Sequence, residues 1–239
     1  MRYYGGYYGM YFDPTYLLVI IGAVLCIVAQ LRVSSTFKKY SRVRSRSGMT
    51  GAQAAARILE LSGIYDVRVE HIRGELTDHY DPSAKVLRLS DATYSSDSVA
   101  AIGVAAHECG HAVQHHKSYA PLKFRTALVP AANIGSKLGI PIILLGALLG
   151  MNQMFIQIGI WVFALAVLFQ IVTLPVEFNA SGRALTMLGS YGLMGDEETR
   201  GCRKVLSAAA LTYVAAAASS ILQLLRLIIL FGNNNRRRD

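Results

Sequence analysis

The sequence predicts an α+β membrane protein, in which helices and a small antiparallel sheet are combined with about four transmembrane helices. Hydrophobic residues make up 53% of the 239 residues, whereas charged residues make up only 16%. This charge content is low for a soluble domain. One long apolar run lies near the N-terminus, and the others lie in the second half of the chain. The part between them alternates between helical and strand-like patterns.

The N-terminal part predicts a single membrane anchor. Residues 1–15 are rich in Tyr and Gly, and tyrosine suits a membrane interface, so we assign them to an extracytoplasmic N-terminus. The anchor follows at 16–32, and basic residues between Arg32 and Arg46 come directly after it. Basic residues concentrate beside membrane helices on the cytoplasmic side. Because the net charge of +9 sits largely in such flanks, we expect no nucleic-acid partner.

Residues 33–126 form the stretch that looks soluble, and we assign them to a cytoplasmic domain. The segment "TGAQAAARILELSG" at 50–63 has apolar residues at helical spacing. Thr50 is the expected N-cap of this helix, and Gly63 is the expected stop.

Two strands and a long helix are predicted next in the same domain. "DVRVEHIRG" at 66–74 and "AKVLRLS" at 84–90 alternate in polarity, with turn residues between them. Residues 95–116 predict a helix that Ser95 or Ser96 would cap.

The rest of the chain is mostly membrane. Residues 127–174 predict a transmembrane helical hairpin, because two apolar runs are joined by a very short polar link. Residues 175–207 are polar again and predict a second cytoplasmic segment. Residues 208–239 predict a last transmembrane helix and a basic tail.

The segment "HECGH" at 107–111 is the strongest chemical signal. Residues four apart on a helix lie on one face, so His107 and His111 can share one Zn²⁺ ion. Glu108 leans to the same side and can accept a proton from water that the metal activates. Small neighbouring residues, Gly110 among them, leave room around the metal. We therefore predict one zinc ion, with His107 and His111 as ligands and Glu108 as the catalytic base.

A catalytic zinc site usually has a third protein ligand. His115 lies one further turn along and is too far from His107 to share the ion. Glu177 is the better candidate, because two spans separate it from His111 and both residues then return to one membrane side. Pro175 would begin a new helix, so Glu177 could instead merely complement the dipole of that helix.

Longer blocks of the sequence resemble a known family. They are "YFDPTYLL", "GAQAA", "VRVEHIRGELTDHYDPSAKVLRLSDATYSS", "AAHECGHAVQH" and "LPVEFNAS". Together they resemble the YugP-type zinc metallopeptidases of bacterial membranes, a family related to the HtpX and CAAX-prenyl-protease group. The resemblance implies a zincin-like domain and places the third zinc ligand on Glu177. The family pattern E-F-D-A-S-R-R-A is broken at Asn179 and Gly182, which affects residues around the ligands rather than the ligands themselves.

Several residues carry weaker predictions. His79 could stabilise an oxyanion, although a turn histidine explains it as well. Arg183 could pair with Glu177 or with a substrate carboxylate. Cys109 points away from the ligand face and receives no catalytic role. The substrate is expected to pair with an exposed edge strand made of Val86, Leu87, Arg88 and Leu89.

These residues predict zinc-dependent peptide-bond hydrolysis at the cytoplasmic face of the bacterial plasma membrane. The expected partners are the lipid bilayer and a peptide or membrane-protein substrate, and the oligomeric state is left open. One alternative is a non-catalytic zinc-binding scaffold or chaperone-like partner, against which the intact Glu108 argues. Another is an intramembrane protease, which takes a ligand from an Asp-Gly pair that this sequence lacks.

Overall fold

The structure, a computed structural model, describes residues 13–232. The predicted extracytoplasmic segment up to residue 12 and most of the basic tail, from residue 233, lie outside the described residues. The elements in chain order are α1 (Tyr16–Tyr40), α2 (Gly51–Leu61), β1 (Arg68–His71), β2 (His79–Asp81), β3 (Val86–Leu89), α3 (Asp91–Tyr94), α4 (Val99–His116), α5 (Ala120–Leu148), α6 (Gln153–Ser190) and α7 (Asp196–Phe231).

Within residues 13–232, four helices are long and apolar enough to cross a membrane: α1, α5, α6 and α7. Few of their residues are buried inside the protein, and many large apolar side chains on them are exposed, as contact with lipid requires. α5 and α6 form the predicted hairpin. A Cβ atom on Gly159 would lie 2.8 Å from the Gly139 carbonyl oxygen, so these glycines let the two backbones approach closely.

Three helix boundaries differ from the prediction. Pro175 does not begin a helix but lies inside α6, which continues from the apolar run past Glu177. A proline removes one backbone hydrogen bond, and packing against neighbouring helices compensates for that loss in a membrane protein. α5 already begins at Ala120 and α7 at Asp196, both before their apolar runs. Hydropathy locates the part of a helix in lipid, whereas these helices extend beyond it.

The predicted N-cap of α2 is confirmed, whereas the predicted N-cap of α4 is wrong. Thr50 and Gln53 form a reciprocal capping box at the start of α2. α4 is capped by Ser98, whose Oγ accepts from the Ala101 N–H at 3.1 Å. The residues before Ser98 run beside the segment that follows α1, where Ser45 N–H donates to the Asp97 carbonyl. This contact holds the chain extended, so the helix begins later than Ser95 or Ser96.

The sheet is mixed rather than antiparallel. Its strand order is β1-β3-β2, with β1 parallel and β2 antiparallel to β3. β2 lies in the segment that we predicted as a turn. It forms a hairpin with β3 in which Asp81 accepts from the N–H groups of Ser83 and Ala84. β1 then pairs with the other side of β3.

The sheet order overturns the predicted substrate strand. β3 is the central strand and is hydrogen-bonded on both sides, so it offers no edge to a substrate. Three of its side chains are buried, and Arg88 binds Asp81 at 3.0 Å. In the described sheet, β1 and β2 are the edge strands. The residues to which this correction applies are Val86, Leu87, Arg88 and Leu89.

α4 lies at the centre of the domain and packs against α2, α6, α7 and the sheet. Most of its residues are buried, and its small side chains allow close packing on several sides. The closest approach is at Gly110, where an added Cβ atom would lie 2.5 Å from the Ala180 carbonyl oxygen of α6. This contact fixes the faces that α4 and α6 turn toward each other.

Candidate metal centre

α4 and α6 bring three metal-binding side chains together. His107 and His111 lie on successive turns of α4, and Glu177 faces them from α6. Glu177 Oε2 lies 3.3 Å from His107 Nε2 and 3.5 Å from His111 Nε2. One ligand atom from each residue lies within 4.8 Å of the others, a spacing at which the three could hold a metal ion.

The chemistry of these donors fits a zinc ion. Two imidazole nitrogens and one carboxylate oxygen are donors that zinc prefers. The Glu177 side chain is 4% exposed, and its Oε2 atom is buried without a directed hydrogen bond. A buried acceptor of this kind is costly unless a cation or a donor satisfies it. The three residues therefore suit a cation at the point where their donor atoms converge.

Gln114 fixes the orientation of His111. Its Nε2 donates to the Val176 carbonyl at 2.8 Å, so its Oε1 faces His111 Nδ1 at 3.1 Å. An amide oxygen only accepts, which means that the proton of His111 resides on Nδ1. The lone pair of Nε2 is then directed at the site. On the neighbouring turn, Ser181 Oγ lies 3.1 Å from His107 Nδ1.

Asn179 and Arg183 do not contact the three donors directly but are linked to them through Gln114. Asn179 Oδ1 accepts from Gln114 Nε2 at 3.0 Å and from Arg183 Nε at 2.7 Å. The predicted pairing of Arg183 with Glu177 is not what the structure shows, because Arg183 binds Asn179 and lies over the Tyr119 ring. Asn179 can accept both hydrogen bonds without a charge, so its departure from the family pattern leaves this network intact. Gly182 is exposed, with open space beside it.

The metal-binding cluster opens into a cavity of about 720 Å³. Glu108 lines this cavity beside the three donors and is 8% exposed. His79 on β2 also lines the cavity, and its Nδ1 faces the Thr77 carbonyl at 2.8 Å. A cavity of this size accommodates a short peptide segment beside the cluster.

The chain matches a protein family described as "Putative neutral zinc metallopeptidase" over residues 15–232. The chain belongs to this zinc metallopeptidase family. It is also 50% identical over 198 residues to "Putative membrane protease YugP" of Bacillus subtilis (strain 168), covering 83% of this chain and 88% of that relative. The family and the four apolar helices indicate a multi-pass membrane protein.

No solved structure matches the chain. The zincin-like fold therefore stays a prediction for this member of the family, whereas the mostly helical architecture and the mixed sheet are described by the structure.

Two carboxylates create an electrostatic field at this site that favours a cation. Burial acts to lower the pKa of His111, yet the nearby carboxylates of Glu177 and Glu108 outweigh it and raise the pKa above the ordinary value. Cys109 lies on another face of α4, where its thiol donates to the Ala55 carbonyl, and burial raises its pKa. That placement agrees with the absence of a predicted role for this thiol.

Several residues that line the cavity were not predicted from the sequence. Tyr213 reaches the cavity from α7 and Arg125 from α5. Tyr213 lies in an apolar run that indicates only a membrane helix, and Arg125 lies at the end of the segment predicted to be cytoplasmic, so no local signal marks either residue. His115 lies in the wall, but its Nδ1 faces the Tyr80 hydroxyl at 2.9 Å and it is not part of the cluster. Gln114 carried no recognisable motif either.

Proposed function

We propose that this chain is a zinc-dependent, membrane-embedded metalloendopeptidase that hydrolyses peptide bonds at the cytoplasmic membrane face. One observation carries the proposal: a single cavity contains the His107, His111 and Glu177 cluster together with Glu108, an acidic residue outside it. A purely structural zinc site needs no additional buried carboxylate in an open cavity. Membership of the zinc metallopeptidase family supports the same conclusion.

The residues divide into ligands and a base. His107, His111 and Glu177 would hold one Zn²⁺ ion, with Gln114 and Ser181 orienting the two imidazoles. When bound, zinc supplies Lewis acidity to water and to the scissile carbonyl. Glu108 takes the proton from the attacking water and delivers it to the leaving amine. Its low exposure keeps bulk water from competing for that proton.

The substrate strand is assigned to β2 in place of β3. Within the described sheet β2 pairs on one side only, and the cavity is lined by Asp78, His79, Tyr80, Pro82 and Ser83. An extended peptide pairing with this edge would lie against the metal-binding cluster. An edge strand binds a peptide through hydrogen bonds to its backbone, whatever its side chains. This mode of binding suits a peptide or a membrane-protein segment as substrate.

The orientation rests on charge. α1 ends in basic residues on the same side as α4, and the metal-binding half of α6 returns to that side. Basic residues beside membrane helices favour the cytoplasm. The cluster therefore faces the cytoplasm of a bacterial cell in this proposal.

Glu108→Gln tests the proposed chemistry. The variant should retain zinc and fold but lose at least about 100-fold in casein hydrolysis, because an amide cannot accept the proton. Zinc is measured by mass spectrometry of the purified, detergent-solubilised protein, and Glu75→Gln, an exposed carboxylate in a loop, is the control. Cleavage of casein at the normal rate by Glu108→Gln rules out the mechanism. A wild-type chain that holds zinc and cleaves nothing favours the zinc-binding scaffold.

A further inference from the structure

A cationic cleft lies between α1 and α7, away from the metal centre. Arg32 and Lys39 contribute from α1, and Arg203 and Lys204 contribute from α7. The cleft has a volume of about 340 Å³, and its other lining residues are Thr36, Tyr40, Ser207, Ala208 and Leu211. Four positive side chains therefore converge on one space.

These cations have no acidic partners in the part of the chain that the structure describes. The ion pairs within residues 13–232 all involve other basic residues. Like charges that line one cleft repel one another, and an anion in the cleft would relieve that repulsion. The cleft therefore favours a negatively charged occupant.

An apolar groove continues from the cleft. It has a volume of about 370 Å³ and shares Arg32, Ser207 and Leu211 with the cleft. Its remaining walls come from α6 and α7: Ser181 on α6 and the apolar side chains of Phe178, Leu185, Leu206, Ala210 and Val214. An occupant that fills both spaces must carry a negative group and a hydrocarbon chain.

The depth of the cleft agrees with a lipid. The uncharged run of α1 ends at Leu31, so Arg32 marks the boundary between the apolar span and water. Phosphate groups of phospholipids lie at this boundary, and basic pockets between membrane helices bind their headgroups. A soluble anion has no hydrocarbon chain that could fill the adjoining apolar groove.

We propose that an anionic phospholipid binds between α1, α6 and α7, with its phosphodiester group in the cationic cleft and an acyl chain in the apolar groove. Neither space contains His107, His111 or Glu177, so the lipid would bind outside the metal centre. Ser181, whose Oγ faces His107 Nδ1, lines the groove but not the cleft, and the charge variants below leave it unchanged.

The test compares two lipids on the purified full-length chain in a neutral detergent. Dioctanoyl-phosphatidylglycerol and dioctanoyl-phosphatidylcholine are titrated, and bound lipid is followed by native mass spectrometry. The wild type should bind the anionic lipid at least tenfold more tightly. Each basic residue near an anionic headgroup contributes about fivefold in affinity, so Arg203→Gln with Lys204→Gln should lose roughly 20-fold.

Lys38→Gln with Arg42→Gln is the matched control, because it removes two exposed charges at the same end of α1 from residues that line neither space. Its affinity should stay within about twofold of the wild type. If this control loses as much affinity as the cleft variant, overall charge and not the cleft attracts the lipid, and the proposal fails. It fails equally if glycerophosphoglycerol or inorganic phosphate binds as tightly as the lipid. Should the cleft variant not fold, Lys39→Gln with Lys204→Gln replaces it.

Discussion

The metal centre and the three-stranded sheet hold their parts in place by different means. The donors of the metal centre stand on two long helices, and the contact of Gly110 with the Ala180 carbonyl sets the distance between those helices. The strands are three or four residues long, and each is positioned by pairing with β3. Donor positions in the first region depend on the packing of α4 against α6, and strand positions in the second depend on hydrogen bonds to β3.

This difference matches the division of labour that we propose. Metal ligands must stay within a few tenths of an ångström of their productive positions, and packed helices provide that precision. A substrate edge has to accept a new strand, and β2 is short, half-buried and paired on one side in the described sheet. Rigid and adaptable regions therefore meet in one cavity.

The largest effect is expected at the metal centre itself. Glu177→Ala should lower zinc affinity by more than about 100-fold and abolish casein hydrolysis, because it removes one of three donors. His115→Ala is the control and should change zinc content little, since His115 faces Tyr80 and not the cluster. Zinc is measured by mass spectrometry after dialysis against buffered metal. Zinc retained in Glu177→Ala and lost in His115→Ala would show that α4 alone makes the site.

An intermediate effect on zinc affinity is expected at Gln114, the side chain that orients the ligand His111. Gln114→Leu removes the acceptor for His111 Nδ1 and the hydrogen bond to the Val176 carbonyl, so zinc affinity should fall about 10- to 100-fold. Gln53→Ala is the control, because it weakens the cap of α2 and lowers stability without touching the cluster. Competition with a fluorescent zinc chelator gives the affinities. Equal zinc affinities in the two variants would mean that Gln114 does not orient His111.

The smallest effect is expected at the sheet. A peptide substrate carrying one backbone N-methyl group at successive positions should show a KM raised about two- to tenfold at alternate positions, because each lost hydrogen bond costs about 0.5–1.5 kcal/mol. The kcat should change little, since β2 binds and does not react. Steady-state kinetics of the wild type provide both constants. A KM that is independent of methyl position, or that changes without a period of two, excludes strand pairing with β2.

Much of the helical architecture is predictable because its signals are local. The apolar runs locate the membrane helices, and Thr50 with Gln53 marks the start of α2. The sheet is less predictable because the sequence does not indicate which strands pair. β2 carries turn residues and becomes a strand only through its hairpin with β3, and β3 becomes central only because β1 pairs with its other side.

The candidate site follows the same rule. The four-residue spacing of His107 and His111 places both on one helix face, and the counting of spans returns Glu177 to their side. Gln114 and Tyr213 were not predicted, because their positions depend on how α6 and α7 pack around α4. Side chains that support a metal ligand or line a cavity carry no spacing of their own.

The continuity of α6 has a mechanical consequence. Glu177 stands on the same uninterrupted helix that crosses the membrane, whereas His107 and His111 stand on α4, which is not among the candidate spans. A helix adjusts its tilt when the hydrocarbon thickness of the bilayer changes. Because Gly110 of α4 packs against Ala180 of α6, a change in the tilt of α6 also acts on α4. The packing of these two helices therefore determines how far the Glu177 carboxylate moves relative to the two imidazoles when bilayer thickness changes.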